Sequence, residues 1–326
     1  MGLKKNSARS EKSDPVFRFI YGPVLSRRLG LSLGIDILPP KTCNLDCIYC
    51  QLGRTQKRVE VRHPYFRFED IMQAIRKALE GTERIDYLTF SGSGEPTLNA
   101  HLGALIREIK KITAKPVAVL TNSLLLQEKD VRQELRAADL VVPSLDAAEQ
   151  SIFLQINRPS PSVNLNQVVE GLIHFREEFG GEIWLEIMLV KEVNDYPEHL
   201  EKWKKAAERI RPDKIQLNTV VRPPAESWVR PLEKEELIEA AKILGPHVEI
   251  ITESIRRVNK GKKEDLKIKI LSILKRRPAS LEELVAILGE EPAGVSEVLD
   301  RLLTEEKIKT RQHYHRLQYE YRGKKR

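Results

Sequence analysis

Cys43-Asn44-Leu45-Asp46-Cys47-Ile48-Tyr49-Cys50 holds every cysteine of a 326-residue chain. Thiols gathered this closely and found nowhere else make poor core fillers, although three buried free cysteines are the plain alternative. A disulfide framework fits badly, because three is odd and two intervening residues leave little room for an unstrained bridge. Metal binding accounts for the pattern, and the ligand count chooses among metals. Structural zinc takes four protein ligands, and no second Cys or His pair stands nearby at finger spacing; His63 is the nearest histidine. A [4Fe-4S] cluster on three thiolates leaves one iron without a protein ligand, free to take a small molecule directly.

On either side of this loop the chain alternates between two periods. Leu31 to Leu38 reads as a strand, which Pro39-Pro40 ends. Apolar spacing at three and four predicts helices over Arg67–Leu79, His101–Lys111, Lys129–Ala137, Leu165–Phe179, Glu198–Ile210 and Glu233–Leu244. Between them, short apolar runs predict strands over Ile85–Phe90, Pro116–Leu120, Leu140–Leu145, Ile183–Val190, Lys214–Val221 and Val248–Ile251. Such alternation implies an α/β fold with a parallel sheet and right-handed crossovers. Six βα units are too few for a closed eight-fold barrel, so the expectation is an open, partial (β/α)6 barrel. Ligands of such sheets gather at the carboxyl ends of the strands, where most of the polar oddities of this sequence fall.

The spacing Cys-x3-Cys-x2-Cys, with aromatic Tyr49 before the last cysteine, resembles the radical S-adenosylmethionine (SAM) superfamily. The resemblance implies that Cys43, Cys47 and Cys50 ligate a [4Fe-4S] cluster whose open iron chelates SAM. It also implies that the reduced cluster cleaves SAM to a 5′-deoxyadenosyl radical. Ser91-Gly92-Ser93-Gly94-Glu95-Pro96 is similar to the Gly-Gly-Glu-Pro segment that binds the methionine amino group in this family, with Ser93 in place of a glycine. The other candidates for holding SAM or ordering substrate are Tyr49, Asn122, Ser144, Asp146, Arg158 and Asn218. For Arg158 the competing reading is an ion pair, and for Asn218 an exposed strand end. Glu186 interrupts the apolar run Trp184-Leu185-Glu186-Ile187-Met188 and needs a partner, either in a site or in a structural ion pair.

Gly22-Pro23-x-x-Ser26-Arg27-Arg28-Leu29-Gly30, Lys41-Thr42-Cys43-Asn44 and Tyr49-Cys50-Gln51-Leu52-Gly53-Arg54 together resemble the branch that contains the wyosine-forming tRNA enzymes. Those enzymes carry a second cluster on three further cysteines, which this chain lacks, so their two-carbon insertion on guanosine is not expected here.

Composition adds bounds. Apolar residues make up 41% and charged residues 31% of the chain, with a net charge of +8. The charge permits a polyanionic partner, and a solvated Lys/Glu surface explains it equally well. No apolar run approaches the length of a membrane span and the basic N-terminus has no apolar core, so no membrane partner is expected. Clustered reduced thiols point to the cytoplasm.

The predicted organisation is a disordered tail over 1–15, a radical SAM partial barrel over 16–252, a basic linker over 253–263 and a small domain over 264–326. In the last, Leu266–Lys275 reads as a helix and Ser280 with Glu283 as a capping box opening a second, which Gly289 ends. Pro292 opens a third helix through Leu303, and Ile308–Tyr321 reads as a two-stranded wing. Together these predict a winged helix-turn-helix that closes its own core. The third helix carries Glu297 and Asp300, with Glu305 and Glu306 just beyond it, against only Arg301. That is poor for reading DNA. The basic parts are the wing and tail: Arg311, Arg316, Arg322, Lys324, Lys325 and Arg326.

The expected function is RNA modification, with tRNA as substrate and a cellular electron donor as partner. A peptide-modifying enzyme is the alternative, and a nucleic-acid-binding Fe–S redox sensor the alternative of another class.

Overall fold

The computed structural model describes residues 16–80, 85–251, 266–313 and 316–322. The expected tail at 1–15, the linker at 253–263 and Lys324, Lys325 and Arg326 lie outside the described residues.

A short helix α1 (Val16–Phe19) leads into β1 (Ile20–Ser26), which turns back antiparallel onto β2 (Gly30–Ile35). From β2 onward each strand pairs parallel with the next: β3 (Tyr87–Phe90), β4 (Val117–Thr121), β5 (Leu140–Pro143), β6 (Glu182–Leu189), β7 (Lys214–Thr219) and β8 (Val248–Ile250). Sheet order follows chain order, so every crossover runs the same way and carries its helix to the same face. That helical layer is α2 (Phe68–Glu80), α3 (Leu102–Ile112), α4 (Lys129–Leu135), α5 (Gln150–Ile156), α6 (Leu165–Glu178), α7 (Pro197–Ile210) and α8 (Lys234–Leu244). Among the described residues β1 and β8 each pair with one neighbour, so the eight-stranded sheet stays open.

The two-residue period of each strand divides the sheet into two faces. Leu33, Ile35, Leu88, Phe90, Val117, Val119, Ile183, Leu185 and Ile187 point into the main core under the helices. Their alternates Ser32, Thr89, Glu186 and Asn218 occupy the opposite, inner face, with Leu120 and Trp184 in a small apolar cluster there. Burying each large apolar side chain contributes about 1.5–3 kcal/mol, so the helix side fixes the fold. The inner face is left for chemistry.

Helix and strand boundaries follow the sequence reading to within a few residues, and α1, β1 and α5 are additions to it. β1 contains Gly22-Pro23, to which the sequence reading assigns no element. In the fold the pair sits where the β1–β2 register shifts, and a proline is tolerated there because the strand is at the sheet edge. Helix α5 lies in what reads as a long connection after β5.

The C-terminal residues form α9 (Leu266–Leu274), α10 (Leu281–Leu288), α11 (Pro292–Thr304) and the antiparallel pair β9 (Ile308–His313) and β10 (Arg316–Tyr321). Ser280 and Glu283 make the expected reciprocal capping box, and Gly289 ends α10 in the left-handed region at φ 65°. The expectation that this part closes its own core needs correction. Its apolar cluster includes Val24, with Tyr21 and Leu25 packed against it, all from β1. A buried ion pair also crosses the boundary: Arg276 Nε lies 3.2 Å from Asp36 Oδ2, and both residues are buried. No helix among the described residues is long and apolar enough to cross a membrane.

Candidate active site

The cysteine loop leaves the carboxyl end of β2 and is held by backbone bonds on two sides. On one, Lys41 N donates to Ser93 O (2.7 Å) and Glu95 N donates to Thr42 O (3.0 Å). On the other, Asp46 N donates to Asn157 O (3.0 Å) and Ile48 N donates to Ile156 O (2.9 Å). The first contact explains Gly94, where a Cβ would sit 1.8 Å from Thr42 O. Gly92, at φ 137°, leaves room for Asp36, whose Cγ would stand 2.6 Å from a Cβ there. Asp36 in turn accepts from Ser93 Oγ (2.6 Å), so the glycine loop is fastened to both β2 and the cysteine loop.

Each thiol accepts an N–H bond. Lys41 Nζ reaches Cys50 Sγ at 2.9 Å, Asn157 Nδ2 reaches Cys47 Sγ at 3.4 Å, and Leu45 N reaches Cys43 Sγ at 3.5 Å. No disulfide joins them. Burial pushes the Cys43 thiol up to about 12, and burial with the nearby Asp146 carboxylate pushes Cys47 well above its ordinary value. Both are therefore neutral without metal, and metal binding displaces their protons. Among the described residues no three His, Cys, Asp or Glu side chains converge on one point, as a single metal ion requires. A cubane places each thiolate on a different iron, and N–H donors to sulfur are a usual part of its protein setting. The donor set fits the cluster.

Around this loop the strand ends supply polar groups. Glu95 is buried at 2% exposure, and its Oε1 accepts from Thr97 N, Thr97 Oγ1 and Thr121 Oγ1. Among the described residues Oε2 accepts only Asn122 N (2.6 Å), so it is the oxygen with capacity left for a ligand ammonium. Asn122 Nδ2 donates to Asn44 Oδ1 at 2.7 Å and stands 3.7 Å from Cys43 Sγ. Ser123 occupies the left-handed region at φ 70° and ties Ser144 O with its hydroxyl, while Ser144 itself is half-buried. Asp146 accepts from Tyr49 Oη, from Asn157 Nδ2 (2.7 Å) and from Met188 N (3.0 Å). Burial outweighs these bonds and raises its carboxyl to about 6.

Two expected contacts lie elsewhere. Arg158 pairs with Glu226 (2.5 Å) and lies 3.9 Å from Asp46, the ion-pair reading of that residue. Asn218 is buried at 1% exposure rather than an exposed strand end; its Nδ2 donates to Glu186 Oε1 (2.9 Å) and its Oδ1 accepts from Arg27. Glu186 finds its partner in Arg28. Asn157 is the contact that sequence reasoning missed. It touches both Cys47 and Asp146, and its only signal was its position beside Arg158 at the end of α5.

Residues 37–203, about half of the chain, match the family model of the Radical SAM superfamily. UPF0026 protein MJ1312 of Methanocaldococcus jannaschii is 33% identical over 93% of this chain and 94% of its own length. A Brachyspira hyodysenteriae protein named GTPase Obg is 39% identical over 94% of this chain, which spans only 45% of that protein's length. This sequence contains no Gly-x4-Gly-Lys-Ser/Thr stretch of the kind that cradles nucleotide phosphates. The fold is shared with a radical SAM methyltransferase from Sphaerobacter thermophilus at a TM-score of 0.53 and 16% identity, over 67% of this chain and 65% of that one. With its three thiols at the strand ends and a family match over the residues that hold them, the chain belongs to the radical SAM superfamily, enzymes that work with a [4Fe-4S] cluster and SAM.

Proposed function

We propose that Cys43, Cys47 and Cys50 hold the cluster and that the chain modifies RNA, with residues 264–326 acting as a winged-helix domain on a partial radical SAM barrel. The observation that carries the cluster reading is that every thiol accepts an N–H bond: Cys50 from Lys41, Cys47 from Asn157 and Cys43 from Leu45 and Asn122. The bound cluster supplies the reductive cleavage of SAM to a 5′-deoxyadenosyl radical. The protein's own share is placement. Glu95 Oε2 receives the SAM ammonium, and Gly92, Ser93 and Gly94 set the position of Glu95 by packing against Asp36 and Thr42. Asn122, Ser144, Asp146 and Tyr49 border the same space, with Asp146 oriented by Asn157. Asn218 acts at one remove, through Glu186, and Arg158 through Glu226. Clustered reduced thiols support a cytoplasmic enzyme that takes its electron from a cellular donor.

RNA as substrate is supported by the net charge of +8 and by the resemblance to tRNA-modifying enzymes. One observation favours the peptide alternative. Much of the wing's charge is cancelled locally, because Lys309 and Arg311 lie 3.2 and 3.7 Å from Glu320 and Arg322 lies 3.3 Å from Glu306. Titrating labelled tRNA from about 50 to 200 mM salt separates the two. If the wing holds RNA, Arg311→Gln with Arg322→Gln lowers the slope of log K against log salt by about two. An unchanged slope removes the wing from RNA binding and puts a peptide substrate first.

A further inference from the structure

A cavity of about 610 Å³ lies where the inner face of the sheet, the β1–β2 turn and helix α10 meet. Its size suits a small organic ligand. Its walls combine three kinds of surface. Leu25, Leu120 and Ile287 are apolar; Ser32, Thr89 and Ser91 bring hydroxyls from the sheet; Arg27, Arg28, Arg222 and Arg277 bring four guanidiniums, and Arg316 a fifth at the exposed rim. Neither the cluster nor the SAM contacts described above account for this concentration of arginine.

Charge in the cavity is not balanced. Arg28 pairs with Glu186, and Arg222 and Arg277 share Glu283 at 3.0 and 3.2 Å. With the exposed Arg316 and Glu282 both counted, five guanidiniums face three carboxylates, Glu186, Glu282 and Glu283, an excess of two. Arg27 makes no ion pair among the described residues; its partner is the neutral Asn218 Oδ1, at 3.3 Å. The Nε atoms of Arg28 and Arg222 are buried without a hydrogen-bond acceptor. Burial and the neighbouring Arg222 and Arg28 lower Arg27 to about 9, and burial with Arg222 lowers Arg277 to about 10. Like charges held together in a half-buried space, with donors left over, are expensive unless an anion joins them.

We infer that Arg27, Arg222 and Arg277 bind a phosphate group of the substrate, carried on a nucleotide unit whose sugar and base lie along the hydroxyl and apolar walls. An excess of two positive charges matches the terminal phosphate monoester of a nucleotide, which carries about −1.5 to −2 at neutral pH, or two successive phosphodiesters of RNA at one charge each. Planar guanidinium forks suit phosphate oxygens better than the point charge of lysine does. The location suits a substrate site. Arg222 Nη1 donates to Gln51 Oε1, on the residue after Cys50, at 3.3 Å, and Ser91 immediately precedes Gly92 of the glycine loop. A nucleotide anchored here borders the space assigned to SAM. The inference deepens the RNA reading and rests on it only for the source of the phosphate, a polynucleotide or a free nucleotide.

Calorimetric titration of the full-length chain with adenosine 5′-monophosphate, adenosine, a short RNA and SAM tests the assignment. The wild type should bind the monophosphate at least about tenfold more tightly than adenosine, the loss expected for a charge-assisted contact. Arg27→Gln should weaken the monophosphate about ten- to hundred-fold and leave adenosine, SAM and the melting temperature unchanged. If Arg27→Gln does not fold, Arg27→Lys keeps the charge, loses the fork and should show a smaller loss in the same direction. RNA binding weakened by the same factor assigns the phosphate to RNA. RNA binding unaffected, with the monophosphate weakened, assigns it to a free nucleotide and removes the RNA reading while this one stands. Monophosphate affinity unchanged in the variants, or weakened SAM binding in its place, would overturn the inference.

Discussion

Cys47→Ala is expected to leave the chain folded while abolishing iron loading and SAM cleavage together. The fold should survive because the loop is held by its backbone: Asp46 N and Ile48 N bond Asn157 O and Ile156 O whatever side chain stands between them. Leu45 and Ile48 keep their places in the main core. What is lost is one of only three cysteines, and the chain has no other thiol to replace it. Asn157 Nδ2 would keep its bond to Asp146, so the neighbouring carboxylate should hold its place. Iron and sulfide analysis beside a thermal melt reads both halves. Full iron content in Cys47→Ala would remove the loop from cluster binding.

The second large effect is on stability. Arg276→Met should destabilise the whole chain by about 3–5 kcal/mol, the range for breaking a buried ion pair from one side. Asp36 is only 5% exposed and Arg276 8%. Burial raises the Asp36 carboxyl, and Arg276 is the largest influence opposing that rise. The same guanidinium donates to Ser272 O and Arg18 O and covers the Tyr21 ring, so methionine fills part of its volume but none of its bonds. Ser93 hangs on Asp36, and SAM binding should weaken along with stability. Adding Asp36→Asn should restore part of the loss, because a neutral amide needs no counter-charge. Urea denaturation of the single and double variants measures this. A wild-type midpoint for Arg276→Met would show that the pair does not join the two parts of the chain.

That pair also shows where sequence reasoning stops. The helix side of the sheet was legible because burial writes a period into the sequence: Leu88 and Phe90 against Thr89, Ile183 and Leu185 against Trp184. The cysteine loop was legible because its residues are adjacent in the chain and chemically unlike their surroundings. Arg276 and Asp36 are 240 residues apart, and Arg27 and Asn218 are 191 apart. Nothing local marks either pair. The sequence around Ser26-Arg27-Arg28 therefore does not show that these residues line a cavity, where the fold places them. Arg158 was open between a ligand and an ion pair because its partner, Glu226, lies 68 residues on. The C-terminal core was expected to close by itself because its own apolar residues suffice for a pattern; the contribution of Val24 appears only in three dimensions.

The central claim is that three thiolates hold a [4Fe-4S] cluster whose open iron meets SAM. Electron paramagnetic resonance of the full-length chain, reconstituted and reduced without oxygen, tests it most directly. The account predicts about four irons per chain and a reduced-cluster signal that changes on adding SAM. One tightly bound zinc without iron, or a cluster signal indifferent to SAM, would contradict it.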